Sequence, residues 1–204
     1  VGFKRRPLYA PLAVRMLRIE NSLYLKLAAP VPDGATVAVL NPDLSLWPAT
    51  MLFTAQAHAL RYSPAIHVNQ EGYMPALAKK GSVGYYLGNL GEMDIPAGAG
   101  FQIVDAATGA VAFTGTLTAR PDTGWTYSAT PYQKVYEADF SAFATPGKYY
   151  LAVPGLGASV PFRIDEGVAM NFARTYALGL YHQRCGCTNA MPFTRHVHDA
   201  CHTA

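Results

Sequence analysis

Three cysteines stand in the last twenty residues, within Tyr181-His-Gln-Arg-Cys-Gly-Cys187 and Asp199-Ala-Cys-His-Thr203. Cys185, Cys201 and His202 supply two potential thiolates and an imidazole, a soft donor set suited to Zn²⁺. Structural zinc is four-coordinate. The fourth ligand therefore comes from Cys187, His196 or His198 nearby, or from beyond Ala204. A disulfide scaffold would spread an even number of cysteines along the chain, so metal ligation or free thiols fit these three better. The chain stops before any carboxylate that could be assigned to catalysis, and it is expected to be the front portion of a larger enzyme.

A helix must deliver these residues. Val168, Phe172, Tyr176 and Leu180 recur every four positions, with Ala169, Ala173 and Ala177 beside them. That spacing predicts an amphipathic helix over 166–184, with Asp165 as N-cap and Gly186 as stop. Upstream the period changes to two. Ile66–Asn69, Ser82–Leu87, Gly100–Val104, Ala110–Leu117, Val135–Phe140, Lys148–Val153 and Ser159–Ile164 read as strands. Seven short strands in about a hundred residues is the density of an immunoglobulin-like sandwich. Asp105-Ala-Ala-Thr-Gly109 reads as a hairpin turn with glycine at positive φ.

Residues 12–62 read as four more strands. Val14–Ile19 and Ser22–Leu27 are expected to flank a turn at Glu20-Asn21, with Leu23, Leu25 and Leu27 on the buried side. Thr36–Leu40 and Met51–Ala55 follow. Tyr62-Ser-Pro64 is the expected boundary. The domain reading is thus a small β-domain over 1–63, a sandwich over 64–165 and the start of a helical domain over 166–204.

Half of the 204 residues are apolar and 14% are charged, a globular composition. The net charge of +3 and the single short basic cluster, Lys4-Arg-Arg6, give no nucleic-acid footprint. That cluster reads as a solvated tail. No apolar run reaches the length of a membrane span, and no signal peptide is visible. His67 reads as a structural histidine on a strand. Glu137 and Asp139 read as solvent-facing residues. Asp122, Trp125, Tyr127 and Tyr132 share a loop, where aromatic rings could stack on sugars or pack against a neighbouring domain. Gly84, Gly88 and Gly91 do not form a phosphate loop.

Residues 65–204 resemble family 9 glycoside hydrolases of the type with an N-terminal immunoglobulin-like domain. The resemblance rests on Ile66-His-Val-Asn-Gln-Glu-Gly-Tyr-Met-Pro75, Asp139-Phe-Ser141, Gly147-Lys-Tyr-Tyr150, Gly157-Ala-Ser-Val-Pro-Phe-Arg-Ile164, Tyr181-His-Gln-Arg-Cys-Gly186 and Ala200-Cys-His202. It implies a mainly β chain: an immunoglobulin-like sandwich, preceded by a small β-domain and followed by the first helix of a truncated (α/α)6 catalytic barrel. It implies a secreted or periplasmic cellulase that hydrolyses β-1,4-glucan with inversion. The barrel is then a partner in cis, with no nucleic-acid or membrane partner. It also implies structural zinc at Cys185, Cys201 and His202, completed by a downstream histidine. Both catalytic carboxylates of such enzymes lie downstream of the Cys-His pair, so no residue here is assigned to catalysis and the chain alone is expected to be inactive. The alternatives are a freestanding carbohydrate-binding or adhesion-type β-module and a zinc-binding interaction module.

Overall fold

Strand-forming segments alternate with glycine and proline turns between residues 64 and 165, and they pair into two facing sheets. The computed structural model describes residues 1–9, 18–120 and 134–202. One sheet has the order β5-β6-β10-β9, made of Ile66–His67 (β5), Lys80–Val83 (β6), Tyr136–Asp139 (β10) and Thr118–Ala119 (β9). The other runs β12-β11-β7-β8, with Gly100–Asp105 (β7), Val111–Thr116 (β8), Gly147–Val153 (β11) and Gly157–Ala158 (β12). Phe162–Ile164 (β13) also pairs with β11.

Alternation along β11 sets the core. Tyr149, Leu151 and Val153 point between the sheets, where they join Ile66, Val83, Phe101, Ile103, Phe140, Phe162 and Ile164. Burying each such side chain contributes about 1.5–3 kcal/mol. The opposite face is covered too. Val104, Ala152 and Ala158 are buried there, with Leu60 and Tyr150 packed against them. The segment at the expected boundary, Tyr62-Ser-Pro64, is bonded to this sheet. Ser63 N–H donates to the Ala158 carbonyl at 2.8 Å, and Ala158 N–H donates to the Arg61 carbonyl at 2.8 Å.

β12 and β13 share one edge of β11 because Pro161 cannot donate to the ladder. Ser159 bridges the break. Its backbone N–H donates to the Leu151 carbonyl at 2.8 Å, and its hydroxyl accepts the Leu151 N–H at 3.1 Å. The expected turn at 105–109 forms. The Asp105 carboxylate accepts the N–H groups of Ala107 and Thr108 and the Thr108 hydroxyl, and Gly109 has φ +74°. These bonds, the Thr108 N–H foremost, hold the Asp105 carboxyl below its usual pKa.

The first sixty residues differ from expectation. Gly2–Tyr9 (β1) pairs antiparallel with Arg18–Tyr24 (β2), and β2 runs straight through Glu20-Asn21 instead of turning there. The basic cluster is thus in a strand, not a tail. Arg6 sits across from Glu20 and pairs with it at 2.7 Å. The leucine face is also reversed. Leu23, Leu25 and Leu27 are exposed, while Tyr24 faces Tyr85 of the sandwich with ring centroids 6.1 Å apart. An aromatic partner across the gap outweighs the aliphatic period. Thr36–Val39 (β3) and Phe53–Gln56 (β4), close to the expected strands at 36–40 and 51–55, pair with each other apart from β1 and β2. Together β1–β4 make two two-stranded sheets; most of the expected strand Val14–Ile19 lies outside the described residues.

Helix α1 spans Val168–His182. It begins two residues later than the sequence suggests, because the Asp165 carboxylate accepts the Gly167 N–H at 2.7 Å and closes a turn ahead of the helix. Gly167, not Asp165, is the N-cap. The helix ends when Gln183 N–H returns to the Gly179 carbonyl, so Gly186 is not its stop. None of its residues is buried.

Candidate metal centre

Beyond α1 the chain folds back on the helix end. Gly186, at φ +72°, turns it, and the Gly186 N–H donates to the Cys201 carbonyl at 2.8 Å. Farther along, Asn189 and His198 exchange both backbone bonds, at 3.0 and 3.1 Å. Asn189 is 1% exposed. Its amide nitrogen bonds His198 Nε2 at 2.6 Å and the His182 carbonyl at 3.4 Å. His182 Nε2 meets the Thr194 hydroxyl, and the rings of His182 and His196 stand perpendicular at 5.6 Å. Tyr181 accepts the Ala190 N–H at its hydroxyl and packs on Phe193.

This scaffold brings the three expected residues together. One ligand atom each from Cys185, Cys201 and His202 lie within 4.8 Å of one another. Tetrahedral zinc at ordinary bond lengths holds its donors about 3.5–3.8 Å apart, so the three fit such an ion with small rotations of the side chains. Among the described residues they are the one such cluster of histidine, cysteine and acidic groups. His202 adopts φ +53°, a left-handed conformation that costs a non-glycine residue energy and is found where surrounding structure fixes a functional side chain.

Electrostatics at the site have a clear sign. The Cys185 thiol is pushed above its usual pKa, first by its hydrogen bond with Cys201, then by the charge of Cys201. Two thiolates this close repel each other. A dication between them reverses that balance and would hold both deprotonated.

The proposed local substitutes for the fourth ligand fare unequally. His198 has both ring nitrogens engaged, Nε2 with Asn189 and Nδ1 with the Asp199 carbonyl at 2.7 Å. His196 packs edge-on against His182. Cys187 is half-buried and lies outside the three-residue group. Sequence reasoning missed the Asn189 hub, since a lone asparagine in a loop carries no periodic signal.

The other candidates sort as follows. Glu137 pairs with Lys80 at 3.0 Å, and Asp139 is exposed and accepts the Ser141 N–H. His67 is exposed on the outer side of β5. Asp122, Trp125, Tyr127 and Tyr132 lie outside the described residues.

The Asn69–Tyr73 segment is architectural. The Tyr73 hydroxyl accepts the Asn69 N–H at 2.9 Å and donates to the Lys80 carbonyl at 2.7 Å. Its backbone pairs with Arg163 and Asp165, at the end of the last strand before α1. Gly72, at φ +106°, lies so close to this strand that a Cβ there would stand 2.6 Å from the Arg163 carbonyl oxygen.

Residues 61–158 match the family described as cellulase N-terminal ig-like domain. The chain carries that domain. The chain is 32% identical to Endoglucanase D of Acetivibrio thermocellus over 145 residues, covering 70% of this chain and 20% of the relative. A metagenome-derived glycoside hydrolase family 9 endoglucanase superposes with a TM-score of 0.54 at 29% identity, over 67% of this chain and 24% of its own. A Bacteroides ovatus family 9 glycoside hydrolase gives 0.50 at 29%, over 67% and 22%. The chain thus spans about a fifth to a quarter of the length of these relatives, and it is similar to the N-terminal immunoglobulin-like portion of family 9 endoglucanases. In this immunoglobulin-like domain the Asn69–Tyr73 segment fixes where the chain leaves the sandwich.

Proposed function

We propose that this chain is the non-catalytic brace of a secreted or periplasmic enzyme that hydrolyses β-1,4-glucan with inversion. In that chemistry one carboxylate activates water and a protonated carboxyl donates to the leaving oxygen, roughly 6.5–9.5 Å away. No residue of the chain is assigned either role. The observation that carries the reading is α1. It leaves the immunoglobulin-like domain with Phe172, Tyr176 and Leu180 exposed and not one residue buried. An apolar stripe of this kind is an interface. Its cover is the catalytic domain that the relatives' family supplies.

Cys185, Cys201 and His202 would hold structural zinc, with a fourth donor from elsewhere in the complete protein. Zinc would supply folding energy at the end of α1 and no reaction chemistry, because a closed site has no position for substrate. The local residues act independently of the ion: Asn189 and the Gly186–Cys201 bond hold the two ligand segments side by side.

Three measurements test the reading. The purified chain should release no reducing sugar from carboxymethylcellulose above a buffer control, and it should migrate unretarded in gels containing soluble β-glucan. Retardation in the gel would favour a carbohydrate-binding module instead. Zinc content, measured after dialysis, should fall in Cys185→Ser. Unchanged content removes Cys185 from the site.

A further inference from the structure

The same cluster has a second closed state. Cys185 and Cys201 are free thiols, and their ligand atoms lie within 4.8 Å. The Gly186 N–H to Cys201 carbonyl bond, 2.8 Å, holds the two backbones side by side; a disulfide between them asks for Cα atoms about 4.4–6.8 Å apart. Access is asymmetric. Cys185 is exposed and Cys201 is half-buried. Cys187 is the poorer partner for Cys185, since only Gly186 separates them and the Gly186 N–H is already bound to Cys201. We propose that the metal-free chain forms a Cys185–Cys201 disulfide on exposure to a small-molecule disulfide, so that the site closes on a metal ion or on its own sulfurs but never on both. The zinc reading enters only in the protection that a bound ion would give.

The chemistry balances with oxidised glutathione as the oxidant. The Cys185 thiolate attacks one glutathione sulfur, forms a mixed disulfide and releases one glutathione thiolate. The Cys201 thiolate then attacks the Cys185 sulfur, and the second glutathione leaves. Two protein thiols lose two electrons and two protons, and one glutathione disulfide becomes two thiols. Cys187 keeps its thiol.

The test incubates the whole chain, stripped with a chelator or preloaded with zinc, with oxidised glutathione. Thiols are then counted in denaturant and peptides mapped by mass. In the stripped chain the free thiols should fall from the three present to one, with Cys185 linked to Cys201. Cys187→Ser should form the same link. A cross-link through Cys187, or glutathione retained on Cys185 with Cys201 free, overturns the proposal. If the stripped chain fails to cross-link while zinc binds tightly, this inference falls and the metal reading stands. If the link forms equally with zinc added, the metal reading falls and this inference stands.

Discussion

Lys79 is the least expected residue in the core. It is 0% exposed, and its ammonium forms no ion pair among the described residues. Instead it donates to the carbonyls of Pro75 and Leu77 at 2.6 and 2.8 Å, and so ties a turn that has no ladder of its own. Lys79→Met keeps the volume but orphans both carbonyls. It should cost roughly 2–3 kcal/mol, read as a lower urea midpoint with an unchanged slope. A second residue-scale prediction concerns Asp105. Its carboxyl is depressed by the turn's N–H groups, so its contribution is fully present above the unfolded value of about 3.9 and is lost as pH falls through the folded value. Asp105→Asn keeps one acceptor and removes the titration. Its melting temperature should fall less than that of the unaltered chain as the pH drops below about 4. An equal fall in both would show that the turn does not sense the proton. The Asp105 turn was legible because Asp, Thr and Gly each have a local role there. Lys79 was not, since a lysine in sequence gives no hint that two carbonyls await it.

Elements with a repeated period were legible and those defined by a distant partner were not. The sandwich strands emerge from alternation, and α1 from a four-residue step. The hairpin β1–β2 was misread because its stabilising contacts, Tyr24 on Tyr85 and Arg6 on Glu20, lie 61 and 14 positions apart in sequence. At the candidate metal centre, residue type singled out Cys185, Cys201 and His202, while the Asn189 clamp beside them is visible only in three dimensions. Two predictions belong to this scale. Gly72→Ala places a Cβ against the Arg163 carbonyl in a left-handed backbone, and should cost about 2–3 kcal/mol of stability; a neutral result would mean that the loop moves freely. The exposed stripe of α1, with Met170 and Leu178 beside it, should drive association. The whole chain should sediment heavier than a form ending at Asp165 at matched concentration. Clean monomers from both would show that the stripe tolerates water.

Across the whole molecule, burial is concentrated between the two sheets and thins toward both ends. Ile103, Leu151 and Ile164 are completely enclosed, whereas Leu40, Leu46, Leu52 and Met170 stand in solvent. Hydrogen exchange should follow that gradient, with β7 and β11 slowest and β3, β4 and α1 fastest. Slow exchange throughout α1 in the isolated chain would mean that something covers it. The exit from the sandwich has a mechanical meaning. At its last strand the chain is bonded on both flanks, to β11 through Gly147, Lys148 and Tyr149, and to Tyr73 through Arg163 and Asp165. A tug on α1 reaches both rows together. The joint behaves as a riveted seam and not as a hinge, so force is shared by the sandwich before any single hydrogen bond can peel.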